Sequence, residues 1–335
     1  MSALPRIVIC GQLEHAQAEC DLLFENIADI IVMDSRDRDD FIAGLRPGKK
    51  YAGITGLIRH WNGLDYIGPL DYEIIEALPP SVKFIASLGA GYDMIDIDAC
   101  KQRGILVSNT PGVGDDATAT AALYLILSAL RRFSQAERDL RRGLWRSTIS
   151  AASAHDLTGR TLAILGLGGI GLRLAQLVHA FPMRIVYHSR HKVAHAPDYC
   201  EYYDANRLDE MLGMADVLSV HVPLRKETEG LVDESMIRKL KKGAVLINTA
   251  RGKIVDEAAL ISALEEGHLS AVGLDVFPDE PYIDPRLLES SSAVLLPHVG
   301  AVSADAQNVM ETKALTNLRD FLVKGTAMDI VPELR

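Results

Sequence analysis

The apolar run Thr161-Leu162-Ala163-Ile164-Leu165 ends on Gly166-Leu167-Gly168-Gly169-Ile170-Gly171, and the helical pattern Leu172, Leu174-Ala175, Leu177-Val178 follows at once. Loop glycines are common, and a G-x-G-x-x-G spacing alone is weak. A strand before it and a helix after it, within a βαβ unit of about 30 residues, predict a parallel sheet that binds a dinucleotide. Each glycine has its own reason. Gly166 permits the tight turn, Gly168 lets a pyrophosphate approach the backbone, and Gly171 lets helix and strand pack closely. The phosphates then sit at the positive end of the helix, whose first turn holds Gly169 and Ile170.

The next strand discriminates between cofactors. A carboxylate normally ends it and binds the ribose hydroxyls of NAD. Here Arg184-Ile185-Val186-Tyr187-His188 runs into Ser189-Arg190-His191-Lys192, with no acid. A 2′-phosphate meets no repelling carboxylate there and gains a charge-assisted contact from Arg190. Such a bond contributes about 1.5–3 kcal/mol, one to two decades in affinity. NADP(H) is therefore the expected cofactor and NAD(H) the second choice; the alternative is that Arg190 is only a solvated loop charge. His188, His191 and His195 form H-x-x-H-x-x-x-H, but no acid or thiol nearby completes a ligand set and the three straddle a strand end and a loop. No metal is expected.

Around this unit the chain alternates strands and helices. An early series reads Arg6–Cys10, Asp29–Met33, Tyr51–Thr55, Lys83–Ser87 and Ile105–Ser108, with helical patterns such as Leu70–Leu78, stopped by Pro79-Pro80. A long helix follows, about Asp115 to Arg142. The second series adds Arg184–His188, Val217–His221, Ala244–Asn248, Ala271–Leu274 and Ala293–Leu296 to Thr161–Leu165, and ends in the helical pattern Ala304–Lys324. Such alternation means parallel strands with crossover helices. The expected architecture is α/β with two doubly wound parallel-sheet domains. Residues 1–114 with 304–335 would form a flavodoxin-like substrate domain and residues 115–303 a Rossmann cofactor domain, with the active site in the cleft. A length of 335 residues suits two domains.

Composition removes other classes. The net charge of −10 argues against nucleic acid or an anionic membrane as the main partner. Hydrophobic residues at 48% and charged ones at 24% exclude global disorder. The longest apolar stretch, Ala117 to Leu130, is broken by Thr118, Thr120 and Ser128 and reads as a core helix. Cys10, Cys20, Cys100 and Cys200 have no metal spacing and read as buried thiols in a reducing compartment. With no secretory pattern at the N-terminus, a cytoplasmic location is expected.

Three charged residues follow strands of the second series, where open α/β sheets place their chemistry: Arg251 in Asn248-Thr249-Ala250-Arg251-Gly252, Glu280 in Asp275-Val276-Phe277-Pro278-Asp279-Glu280-Pro281, and His298 in Pro297-His298-Val299-Gly300. With Gly89-Ala90-Gly91-Tyr92-Asp93, Asn109-Thr110-Pro111-Gly112, the glycine fingerprint and His221-Val222-Pro223-Leu224, they form an ordered set of blocks along nearly the whole chain. In these blocks the sequence resembles the D-isomer-specific 2-hydroxyacid dehydrogenases. It looks closest to their glyoxylate/hydroxypyruvate reductase and D-mandelate dehydrogenase branches.

The chemistry of a 2-keto acid explains the three residue types. A guanidinium fork such as Arg251 bridges carboxylate and ketone. His298 as imidazolium donates a proton to the carbonyl oxygen while hydride arrives from NAD(P)H. Glu280 bonds the other ring nitrogen, orients it and favours its charged form. The resemblance implies these same roles, and that backbone N–H groups of Leu88-Gly89-Ala90-Gly91 hold the substrate carboxylate. It further implies that Thr118, Ser189, Val222, Pro223, Thr249, Ala250, Asp275, Gly300 and His298 lie along the cofactor. Asp275 has a second reading, as a structural strand-end acid. A homodimer is also implied.

Two departures from the family pattern stand out: Thr120 where an acid is common, and Pro182 where glycine is usual. Both concern packing. His60-Trp61 and Trp145 read equally as pocket wall or as surface loop. The expected activity is reduction of a small 2-keto acid such as glyoxylate, hydroxypyruvate or a phenyl-substituted analogue. The rivals are a dinucleotide-dependent corepressor of the C-terminal-binding-protein kind, for which no long added tail is seen, and a formate or phosphoglycerate dehydrogenase. A formate enzyme would carry Gln in place of Glu280.

Overall fold

The computed structural model describes residues 3–145 and 149–335. The chain divides into two compact units, Met1–Gly114 with Ser303–Arg335, and Asp115–Val302.

The first unit is built on five parallel strands, β1 (Arg6–Cys10), β2 (Asp29–Val32), β3 (Ile54–Arg59), β4 (Phe84–Ser87) and β5 (Leu106–Ser108), in the order β2-β1-β3-β4-β5. This is the flavodoxin-like order. Both faces of the sheet are covered, so successive residues of its inner strands are buried: Ile7 to Cys10 in β1, Gly56 to Arg59 in β3 and Phe84 to Ser87 in β4. Val8 and Cys10 of β1 pack with Phe41, Leu57, Ile74 and Ile85 on one face. Ile7 and Ile9 pack with Ile58, Phe84, Ala314, Leu315 and Leu318 on the other.

The third strand differs from its expected place at Tyr51–Thr55. Tyr51 belongs to the preceding turn, where its ring packs 5.5 Å from that of Phe41 and its hydroxyl donates to Asp34 at 2.8 Å. The strand instead runs through Gly56, where a Cβ would lie 2.8 Å from a Leu318 methyl on the helix Ala304–Lys324.

The second unit carries seven parallel strands: β6 (Thr161–Leu165), β7 (Arg184–His188), β8 (Cys200–Tyr203), β9 (Val217–Val220), β10 (Ala244–Asn248), β11 (Leu269–Leu274) and β12 (Ala293–Leu295). Their order, β12-β11-β10-β9-β6-β7-β8, reverses direction between β6 and β9. That is the dinucleotide-fold arrangement, with its crevice at the carboxyl ends of those two strands. β8 was not expected. It is an edge strand of four residues paired only with β7, and Glu201 interrupts its apolar pattern.

The long helix after Gly114 is two helices, Asp115–Arg131 and Phe133–Arg141, because Arg132 takes a left-handed conformation with φ +58°. Its guanidinium instead donates to the Ser270 and Ser153 carbonyls at 2.8 and 3.3 Å. Pro182 lies in the turn before β7, its carbonyl accepting from Gly159 N–H at 3.1 Å. No helix among the described residues is long and apolar enough to cross a membrane.

Candidate active site

All seven strands of the second unit are parallel, so Gly166, His221, Asn248, Asp275 and the segment after β12 emerge on one edge. The glycine turn follows β6. Gly166 has φ +98°, and a Cβ there would lie 2.9 Å from Val222 Cγ1 and 3.0 Å from the His221 carbonyl. Gly171 is tighter still, because its Cβ would lie 2.3 Å from the Gly166 carbonyl oxygen. Nothing lies within 4 Å of a Cβ built on Gly168, the N-cap of the helix Gly169–Val178, which has no side-chain cap. Closed at Gly166 and Gly171 and open at Gly168, the turn leaves room where a pyrophosphate would meet the helix N-terminus.

Other residues of the expected cofactor set flank this turn. Ser189 Oγ accepts from Leu167 N–H at 2.9 Å, tying the end of β7 to the glycine loop, while Arg190 is exposed. Thr249 Oγ1 is buried with no hydrogen-bond partner among the described residues, a polar atom set for a ligand. These features fit a nicotinamide dinucleotide. His221 bonds Ser219 Oγ at 2.7 Å, and burial pushes its imidazole down to about 4, so it is neutral at physiological pH. Pro223 is exposed and its carbonyl accepts from Thr228.

At the ends of β10, β11 and β12 the three charged residues come together. His298 Nδ1 lies 2.7 Å from Glu280 Oε2, and Glu280 Oε1 accepts from Phe277 N–H at 2.9 Å. Burial works against a charge on Glu280. The bond and charge of His298, the Phe277 N–H and the Arg251 guanidinium together outweigh it and hold the carboxyl below the usual carboxylate range. Gly252 is what lets the Arg251 segment close on this loop, since a Cβ there would lie 1.9 Å from the Phe277 carbonyl carbon.

Two residues fasten the loops: Asn248, which the sequence did not single out, and Asp275, in keeping with its second reading as a structural strand-end acid. Asn248 accepts from Ala250 N–H at 3.0 Å and donates to the Arg251 carbonyl at 2.9 Å, fixing the Thr249–Arg251 turn. Asp275 is 1% exposed and its carboxylate accepts from Val299 and Gly300 N–H, each at 2.8 Å. Burial raises the Asp275 carboxyl above its usual range despite these bonds. The Asp275 carbonyl accepts from His298 N–H at 2.8 Å, holding His298 at φ +54°. Non-glycine residues adopt that region uncommonly. Gly300 admits the Asp275 carboxylate, which would lie 2.7 Å from a Cβ there; that same Cβ would touch Thr118 at 3.4 Å. Thr118 is thus brought to Asp275 and Gly300 despite the Thr120 departure.

In the first unit, the Leu88–Gly91 loop follows β4. Leu88 N–H donates to the Arg59 carbonyl at 3.1 Å and Gly89 N–H to Thr110 Oγ at 2.8 Å. His60 is fully buried, with Nε2 3.1 Å from Glu311 Oε1, so it belongs to the core of that unit and not to a pocket wall. Trp61 and Trp145 are 44% and 74% exposed. Among the described residues, no three His, Cys, Asp or Glu side chains gather as a metal site.

Residues 123–300 match the model of the D-isomer specific 2-hydroxyacid dehydrogenase NAD binding domain. The chain belongs to the D-isomer-specific 2-hydroxyacid dehydrogenase family. Among its relatives, 4-methyl-2-oxopentanoate reductase A of Aspergillus oryzae is 36% identical, with 98% of each chain covered. The crystal structure of a glyoxylate reductase from Paecilomyes thermophila superposes with a TM-score of 0.94 at 37% identity, covering 100% of both chains. An NADPH-dependent glyoxylate/hydroxypyruvate reductase from Sinorhizobium meliloti, in complex with NADP and malonate, gives 0.85 at 32% identity, covering 99% of this chain and 98% of that one. This 2-hydroxyacid dehydrogenase is an NAD(P)-dependent oxidoreductase that reduces a 2-keto acid to a D-2-hydroxy acid. The corepressor and the formate and phosphoglycerate dehydrogenase readings are not favoured.

Proposed function

We propose that the chain is an NADPH-preferring reductase of small 2-keto acids, working through Arg251, Glu280 and His298. The observation that carries this reading is the 2.7 Å Glu280–His298 bond, with the Arg251 guanidinium acting on the same carboxylate. Bound NADPH supplies the hydride that goes to the carbonyl carbon. Glu280, held charged, takes Nδ1 of His298 and leaves Nε2 as the atom that gives a proton to the carbonyl oxygen. Arg251 spans that oxygen and the neighbouring carboxylate with its planar fork, fixing the acid and polarising the ketone. Because the Leu88 and Gly89 N–H groups are spent within their own unit, we assign the substrate carboxylate to the N–H groups of Ala90 and Gly91. The first unit is thereby the substrate domain and the second the cofactor domain.

NADPH preference rests on Ser189 and Arg190. The Ser189 hydroxyl accepts from Leu167 and keeps its own proton to donate to a 2′-phosphate. The relative in complex with NADP supports this reading. Loss of absorbance at the reduced-nicotinamide band, followed with both cofactors and with glyoxylate, hydroxypyruvate and phenyl-substituted keto acids, tests it. We expect turnover with at least one of these acids, and kcat/KM about tenfold or more higher with NADPH. Ser189→Asp keeps the acceptor for Leu167 but adds the charge that suits a free ribose, and should reverse the preference. An unchanged ratio in that variant, or no turnover with any 2-keto acid, overturns the assignment.

A homodimer and a cytosolic location complete the proposal. Phe133, Leu140, Leu144 and Trp145 expose apolar side chains along and just after the helix Phe133–Arg141, a clustering that suits a subunit interface. Sedimentation should give twice the mass of one chain, and Leu140→Glu with Trp145→Glu should halve it; a wild-type monomer rejects the dimer. All four cysteines are free and buried, in keeping with a reducing compartment.

A further inference from the structure

The two N–H groups assigned to the substrate carboxylate, those of Ala90 and Gly91, belong to successive peptide units, and both units are trans. In a trans unit the carbonyl and the N–H point to opposite sides of one rigid plane, so whatever binds the carbonyl aims the N–H. The Gly89 carbonyl shares its plane with Ala90 N–H and accepts from Thr110 N–H at 2.9 Å. The Ala90 carbonyl shares its plane with Gly91 N–H and accepts from Asn109 Nδ2 at 2.7 Å. Thr110 is fully buried and grips Gly89 a second time, its Oγ accepting from Gly89 N–H at 2.8 Å. The first grip is main chain, open to any residue but proline. The second is a side chain and needs an amide, because aspartate at 109 would set an acceptor against an acceptor.

Asn109 is in turn held by the last part of the chain. Its N–H donates to the Asp329 carbonyl at 3.2 Å, and its carbonyl accepts from Asn317 Nδ2 at 3.3 Å. The buried Asn317 amide also donates to Asp329 Oδ2 at 3.2 Å. Lys313, one turn earlier on the helix Ala304–Lys324, donates to the Pro111 carbonyl at 2.9 Å and lies 3.3 Å from Asp329 Oδ1. From this ladder we infer that Asn109 is a positioning residue of the substrate site: it points the Gly91 N–H at the substrate carboxylate, and Lys313, Asn317 and Asp329 hold Asn109 in place. A donor fixed in advance meets the anion without the ordering cost of a loose glycine loop. The bond to the Ala90 carbonyl also polarises that peptide unit and strengthens its N–H as a donor. The inference rests on the assignment of the substrate carboxylate to Ala90 and Gly91.

The carboxylate keeps its charge throughout the reaction, so a weaker grip on it should appear in KM and hardly in kcat. The test is steady-state kinetics with the fastest of the keto acids named above and with its methyl ester, whose uncharged group gains less from the same donors. Asn109→Ala should raise KM for the acid about tenfold, with kcat falling less than threefold, and lower the acid-to-ester ratio of kcat/KM about fivefold. Lys313→Met should move the ratio the same way by about threefold, and Lys313→Arg, which keeps charge and donor, should restore it. Ala90→Pro deletes one of the two N–H groups outright and serves as the control for the loop. A ratio that holds in Asn109→Ala but falls in Ala90→Pro leaves the loop assignment standing and overturns the role of Asn109. A ratio that holds in both removes the loop assignment and the inference with it. An equal fall for acid and ester in Asn109→Ala, carried by kcat, would mean that Asn109 only supports the fold, and overturns the inference as well.

Discussion

Replacing Arg251 with alanine is expected to lower kcat/KM for a 2-keto acid about a thousandfold, while the Kd for dinucleotide stays within about threefold of wild type. The size follows from what the guanidinium faces. A keto acid carries a full charge on its carboxylate and gathers charge on its carbonyl oxygen as hydride arrives, and leaving a charged group unmatched in a partly buried site costs about 3–5 kcal/mol. The Asn248 side chain fixes the Arg251 turn by bonds on both sides of it, so truncation beyond Cβ leaves the backbone in place. Arg251→Lys keeps the charge but loses the fork, and should recover about one decade of the loss. Arg251→Ala, which removes the charge, should let the Glu280 carboxyl rise toward its usual range, because the Arg251 guanidinium helps to hold it down. Steady-state kinetics beside a dinucleotide titration check the split. Normal turnover with weakened cofactor binding would move Arg251 from the substrate to the cofactor.

What could be read from the chain, and what could not, divides by the range of the forces involved. Strands covered on both faces read as near-continuous apolar runs, so β1, β6, β7 and β10 were legible to the residue. β8 was not, because an edge strand of four residues needs only two inward side chains, Cys200 and Tyr203. The break at Arg132 was equally hidden: its acceptors, Ser153 and Ser270, are remote in sequence. The same holds at the candidate site. Arg251, Glu280 and His298 declare themselves by residue type after strand ends. Of the parts that place them, Asp275 was open to a reading as a structural strand-end acid, but Asn248 was not, because it acts through the Ala250 N–H and the Arg251 carbonyl, which no sequence displays. Gly169 was visible as a glycine, but the Asp115 carboxylate that leaves no room for a Cβ there lies 54 positions earlier in the chain.

The second large effect belongs to the pair of Glu280 and His298. His298→Asn should lower kcat for reduction about a thousandfold, within the range for loss of a positioned proton donor. Asparagine is the replacement of choice because it tolerates the left-handed backbone that His298 adopts at φ +54°. Glu280 sets the acid limit. Its folded carboxyl is depressed below 4.5, so its charge is complete above that value and is lost only as pH falls through the lower, folded one. No loss of activity from Glu280 is therefore expected between neutral pH and the ordinary carboxylate range. Glu280→Gln removes the charged acceptor that holds Nδ1 of His298, and kcat should drop about tenfold or more. The decisive measurement is the double variant. If Glu280 acts through the ring it bonds at 2.7 Å, adding Glu280→Gln to His298→Asn should cost almost nothing further. An equal loss in both backgrounds would mean that the carboxylate works independently of the imidazole, and the assignment of Glu280 as its orienting partner would be withdrawn.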